Sequence, residues 1–173
     1  MKLCLRLAPL TVAFLVLTLS GAQIVTPSLL LLRASTASDE QTEKSLRPKD
    51  SPYHRHPPKG PLPSTLDPAQ FKGNPVAFVA YTVAARIKEL LYQEPCFCPC
   101  KKLKGHKSLL DCYVDTHGVS CKACQGEVFF SFAQHERGKS PKQIRKALRK
   151  GEWARLDVDR CVRDYQVTAT EQN

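Results

Sequence analysis

Six of the chain's eight cysteines fall in one short stretch, EPCFCPCKKLKGHKSLLDCYVDTHGVSCKAC, between Glu94 and Cys124. His106 and His117 lie in the same stretch. Thiols this dense serve one of three chemistries: a disulfide framework, a soft-metal site, or a thiol redox centre. Cys96, Cys98 and Cys100 alternate with Phe97 and Pro99, and Pro95 and Pro99 hold their predecessors extended. In extended backbone, residues two apart share a side, with α-carbons about 6.6 Å apart. That is the rim of what a disulfide tolerates, since its sulfurs must close to about 2.05 Å. Two thiolates on one tetrahedral metal need only about 3.8 Å, from metal–sulfur bonds near 2.3 Å. The spacing therefore favours a shared metal over local disulfides and leaves open a bridge to a distant cysteine.

Cys121-Lys122-Ala123-Cys124 is the second half of the constellation. C-x-x-C serves zinc, iron–sulfur and redox dithiols alike. At the start of a helix, exposed N–H groups and the dipole favour thiolate at Cys121, and Lys122 adds positive charge. Gln125 rather than His follows, which argues against haem attachment. Between the halves lie Cys112 and His106, the latter in the turn KGHKS. His106 is read as a ligand, whereas His117 is read as a loop residue and His135 as a helix-surface residue. Asp111 and Asp115 read first as turn residues, and as acceptors for a ligand histidine second. The candidate metal ligands are thus Cys96, Cys98, Cys100, His106, Cys112, Cys121 and Cys124. They exceed one tetrahedral site, so they suit one metal plus a disulfide or a soft-metal cluster. Thiolates select zinc or monovalent copper, with iron–sulfur behind them. A redox protein working through Cys121 and Cys124, and a disulfide-stapled binding module, remain open.

The surrounding elements must position these groups. Asn74 is an N-cap and Pro75 suits the first helical position. Val76, Val79, Val83, Ile87, Leu90 and Leu91 recur at helical spacing, and Glu94-Pro95 stops the helix. A second helix is expected from about Ser120 to Glu136, with Cys121, Cys124, Val128 and Phe132 on one face; EVFFSF as a strand is the competing reading. Ser140, Pro141 and Gln143 open a third helix with a capping box, and Gly151 ends it. Lys142, Arg145, Lys146, Arg149 and Lys150 are expected in water, and Trp153 on the core. The fold class is mainly α: a small three-helix domain with a Cys-rich loop between helices 1 and 2.

The 173 residues hold one modest domain plus extras. Residues 1–22 have the layout of a secretory signal: Lys2 and Arg6, an apolar run from Leu7 to Leu19, then Ser20, Gly21 and Ala22. An uncleaved N-terminal anchor is the alternative, and membrane contact is expected only then. Cleavage would remove Cys4 and leave seven of the eight cysteines, an odd number. Residues 23–70 read as a Pro-rich disordered linker carrying His54 and His56, residues 71–158 as the Cys-rich domain, and 159–173 as a C-terminal tail. The formal charge of +10 reads as solubility. The chain lacks zinc-finger spacing and a basic stripe interleaved with aromatics, so no nucleic-acid partner is expected. It also lacks Gly-rich phosphate loops, a Ser-His-Asp arrangement, and the strand–helix alternation a thioredoxin scaffold would show.

PCFCPC, GHKSLLDCYVDTHG, CKAC and GKSPKQIRKALRKGEW, in that order, resemble the PCYCGC-motif (CYCxC) family of exported bacterial proteins, from about Pro63 to Val158. The resemblance implies export to the periplasm or cell envelope, often as a lipoprotein. Selenocysteine in the motif of some relatives suits redox chemistry or soft-metal capture. Partners implied are a metal ion and envelope redox or metal-handling proteins. The motif positions carry over to Cys96, Cys98, Cys100, His106, Cys112, Cys121 and Cys124. Phe97 stands for the usual Tyr and Pro99 for the usual Gly, and Gln23 stands where a lipid-bearing Cys would be. Cys161 lies outside the motifs and is the expected odd thiol.

Overall fold

A computed structural model of the chain describes residues 51–98 and 105–170. The signal segment, Cys4, the first part of the linker and Cys100 lie outside the described residues. Among the described residues the protein is mainly helical, without strands.

Helix α1 spans Pro75–Arg86 and starts as its sequence dictates. Asn74 is extended and its Oδ1 accepts from Ala77 N–H at 3.1 Å, while Pro75 fills a position that needs no N–H donor. Ala77, Val79, Ala80, Tyr81, Val83 and Ala84 are all fully buried, so α1 runs through the middle of the domain rather than along its surface. The single helix expected up to Glu94 is broken at Ile87 (φ −122°, ψ 28°), and a short α2, Lys88–Tyr92, follows. A one-turn α3, Asp111–Val114, and a 3-10 turn, Thr116–Val119, occupy the region expected as loop.

Helix α4, Lys122–His135, takes in EVFFSF, so the strand alternative is not realised. Residues from Cys124 to Ala133 are buried on every side, which rules out the one-sided burial that alternation would need. Gly126 lets Trp153 approach: a Cβ there would sit 3.1 Å from the indole Cε3. Helix α5, Pro141–Arg149, carries the full capping box between Ser140 and Gln143, and Gly151 ends it in the left-handed region (φ 72°). Ile144 and Leu148 face the core. Arg145 departs from the solvent role expected of it. Its Nη1 donates to Gln93 O at 2.5 Å and its guanidinium covers the Tyr53 ring at 4.5 Å.

Two segments expected to lie outside the Cys-rich domain pack against this core. The second half of the linker lies along the domain: His54 stacks on Tyr92 at 3.8 Å, and Leu66 N–H donates to Tyr113 O at 2.9 Å. The residues assigned to a tail form most of α6, Val158–Thr170, whose Cys161 and Val162 are buried in the core. Cys161 is disulfide-bonded, so it is not the spare thiol. No helix among the described residues is long and apolar enough to cross a membrane.

Candidate metal centre

Three separate pieces of backbone deliver the thiols to one place. The stop after α2 brings in Cys96 and Cys98, α3 brings in Cys112, and the start of α4 brings in Cys121 and Cys124. All five are free, and all but the half-buried Cys121 are fully buried. The extended Cys-Phe-Cys segment is pinned from α4: Phe97 N–H donates to Glu127 Oε1 at 2.8 Å, and Cys98 N–H points at Cys96 Sγ at 3.4 Å. Glu127 follows Cys124 by three residues and so shares its helix face. Tyr113 O–H donates to Cys124 O at 2.7 Å, tying α3 to the first turn of α4. Tyr81, from α1, donates to Asp115 O at 2.6 Å and fixes the turn behind α3.

The ligand atoms fall into two overlapping groups. Cys98 Sγ, a ring nitrogen of His117, Cys121 Sγ and Cys124 Sγ all lie within 4.8 Å of one another. So do the sulfurs of Cys96, Cys112 and Cys124. Cys124 belongs to both. Its sulfur is 3.6 Å from that of Cys96, far beyond a disulfide bond and close to the spacing of about 3.8 Å between thiolates on a common ion.

His117 is the candidate ligand that sequence reasoning missed. Its Nε2 stands 3.4 Å from Cys98 Sγ. The only local hint was Asp115, whose Oδ1 accepts from His117 N–H at 2.7 Å and caps the 3-10 turn that aims the ring. His106, read as a ligand, places Nδ1 3.4 Å from Cys112 Sγ and Nε2 3.2 Å from Asp115 Oδ2. Asp115 thus serves both as a turn residue and as an acceptor for His106. Asp111 serves as a turn residue, its Oδ2 accepting from Lys107 and Ser108 N–H. His135 is exposed at the end of α4, as expected.

Electrostatics concentrate charge on one sulfur. Hydrogen bonds from Cys112, Cys121, Cys124 and Cys96 hold Cys98 far below the ordinary thiol range. Hydrogen bonds with Cys112, Cys121, Cys96 and Cys98, aided by burial, push Cys124 far above it. Cys121 does not become the thiolate that its helix-start position suggests. A hydrogen bond with Cys124 lowers it, but the Cys98 sulfur and burial outweigh this and push it up to about 11. Five sulfurs this close, four of them buried, cannot all be negative without a cation among them. Full ionisation of the cluster and cation binding are therefore one event.

The donor set fits a thiophilic ion: sulfur and imidazole only, buried at Cys98 and Cys124 and half-buried at His117 and Cys121, with four ligand atoms in one of the groups. A family model described as a protein of unknown function with PCYCGC motif matches residues 31–152, a span that begins earlier and ends sooner than the resemblance read from the motifs. No curated protein and no solved structure matches the chain. The matched span holds all five clustered thiols and both histidines, and with PCFCPC at its centre the chain belongs to the PCYCGC-motif family.

Proposed function

We propose that this protein binds a soft metal ion, zinc or monovalent copper, through Cys98, His117, Cys121 and Cys124. The observation that carries the reading is the convergence of these four ligand atoms, from three separate segments, within 4.8 Å of one another. Three thiolates and one imidazole form a closed tetrahedral set, which is how proteins hold structural zinc. The ion either stabilises the domain or is cargo passed to a metal-handling partner. The signal-like N-terminus supports a setting outside the cytoplasm.

Elemental analysis of the protein purified from its producing cells without added metal, with a parallel free-thiol count, tests the reading. Near-stoichiometric metal with the five cluster thiols reduced supports it and names the ion. Metal-free protein with those thiols oxidised overturns it. The second reading, a thiol–disulfide redox protein, is favoured by the Cys96–Cys124 sulfur pair at 3.6 Å and by a thiolate held on Cys98. Under it, Cys121→Ser leaves the fold intact and abolishes reduction of a test disulfide.

A further inference from the structure

We propose that the centre is binuclear: a second metal ion sits between Cys96, Cys112 and Cys124, with His106 as its fourth ligand and the Cys124 sulfur bridging the two ions. This rests on the metal reading above and adds to it a site, a bridge and a charge.

The four-atom group is already complete without Cys96, Cys112 or His106. Cys96 and Cys112 nonetheless converge on Cys124, and His106 Nδ1 lies beside Cys112, 3.4 Å from its sulfur. The sulfurs of Cys96, Cys112 and Cys124 lie mutually within 4.8 Å, and all three residues are fully buried. Buried thiols confined to packing have no reason to converge on a sulfur that another set already uses.

His106 supplies the independent observation. Its side chain is only 8% exposed, and its Nε2 faces a carboxylate oxygen of Asp115. A carboxylate can only accept, so Nε2 carries the hydrogen, and in the neutral ring Nδ1 is left with a lone pair. That lone pair faces Cys112 Sγ at 3.4 Å. In the metal-free protein the nitrogen and the Cys112 sulfur are within hydrogen-bond distance; an ion entering between them joins both atoms. A carboxylate holding the far nitrogen of a ligand imidazole is the usual support of a metal-bound histidine. Asp115 supports both halves of the centre, because its other oxygen holds the His117 backbone N–H. The two imidazoles lie edge to face at 5.4 Å, one over each half.

Charge selects the kind of ion. Five thiolates against two divalent ions leave one net negative charge; against two monovalent ions they leave three. Uncompensated charge in a buried site is costly, and the buried carboxylate side chain of Glu127 stands against the same segment. The binuclear centre is therefore assigned to two divalent thiophilic ions, zinc in class.

The test uses the whole chain with its cluster thiols kept reduced, stripped of metal and titrated with zinc and, separately, with cadmium-113. Native mass spectrometry reads the ion count, and cadmium NMR reads the connection. The expected result is two ions per chain, and two cadmium resonances coupled to each other through the shared sulfur. Cys112→Ala and His106→Ala should leave one firmly bound ion, with the second weakened at least tenfold. Asp115→Ala should weaken both ions and leave the fold, since its side chain is 42% exposed. A single ion in the wild type, unaltered in Cys112→Ala, overturns the second site and leaves the proposed function standing. Two uncoupled resonances overturn the bridge. No bound ion overturns both proposals.

Discussion

Glu94 is an acidic side chain with 0% exposure at the entrance to the Cys-Phe-Cys segment. Arg145 Nη1 stands 3.7 Å from its Oε1, too long for a strong charge-assisted bond, and neither carboxyl oxygen accepts a hydrogen bond. Burial therefore outweighs Arg145 and Arg149 and pushes the carboxyl up from its ordinary 4.5 to about 9. Between those two values the folded protein keeps a proton that the unfolded chain has lost. Stability from this residue is thus fully present below about pH 4.5 and declines as pH rises, on the order of 1.4 kcal/mol per pH unit at most, levelling above about pH 9. Glu94→Gln removes that slope. Denaturant unfolding of both proteins across this range should show the wild type's relative stability shrinking steadily with pH, with effects of the neighbouring thiols cancelling in the difference. Parallel curves would contradict a neutral Glu94.

At the scale of elements, the site depends on how closely the 3-10 turn packs on α3, which carries Cys112 and holds Cys124 through Tyr113. Gly118 makes that approach possible. A Cβ there would come within 2.8 Å of Tyr113 Cε1 and 3.1 Å of Cys112 O. Tyr113 cannot step aside, because it is fully buried and its hydroxyl holds Cys124 O. Gly118→Ala should therefore cost about 1–3 kcal/mol, and it should lower metal affinity by moving Cys112 and Cys124 apart. Thermal unfolding with and without metal measures both effects. A variant with unchanged Tm and unchanged metal content would mean that the turn is not what spaces the sulfurs.

At the scale of the molecule, a small domain has folded around a cluster of thiols rather than around apolar side chains alone. Tyr81, Tyr113, Phe129, Phe130 and Phe132 are large side chains buried in the core, and Cys96, Cys98, Cys112 and Cys124 are part of the same core. Under the proposed function, ions bound there would stabilise the folded state by mass action, about 4 kcal/mol at a thousandfold above Kd. A domain of this size shifts by about 4–8 °C per kcal/mol. A strong chelator should thus lower Tm by about 15 °C or more, and added zinc should restore it. Cys98→Ser should lower Tm and metal content together. A Tm indifferent to chelator but collapsed by reductant would return the protein to the disulfide-scaffold reading.

What the sequence determined by itself was local. Asn74-Pro75 and Ser140-Pro141-Gln143 start helices where they do because a cap and its partner lie within three residues of each other. Gly151 ends one helix because the turn there needs positive φ. The thiophilic character of the site was equally legible, since donor chemistry belongs to residue type and the Cys-x-Cys and Cys-x-x-Cys spacings limit what two thiols can share. What only the tertiary structure decided was which donors meet. Cys98 meets His117 across nineteen positions and Cys96 meets Cys124 across twenty-eight. Those distances are set by how α1, α3 and α4 pack, and no spacing rule reaches that far. The same reason explains the strap through His54 and the helical Val158–Thr170 segment. The strap carries no periodic signal and is ordered by the surface it covers, whereas Val158, Cys161, Val162 and Tyr165 do recur at helical spacing and pack on the core.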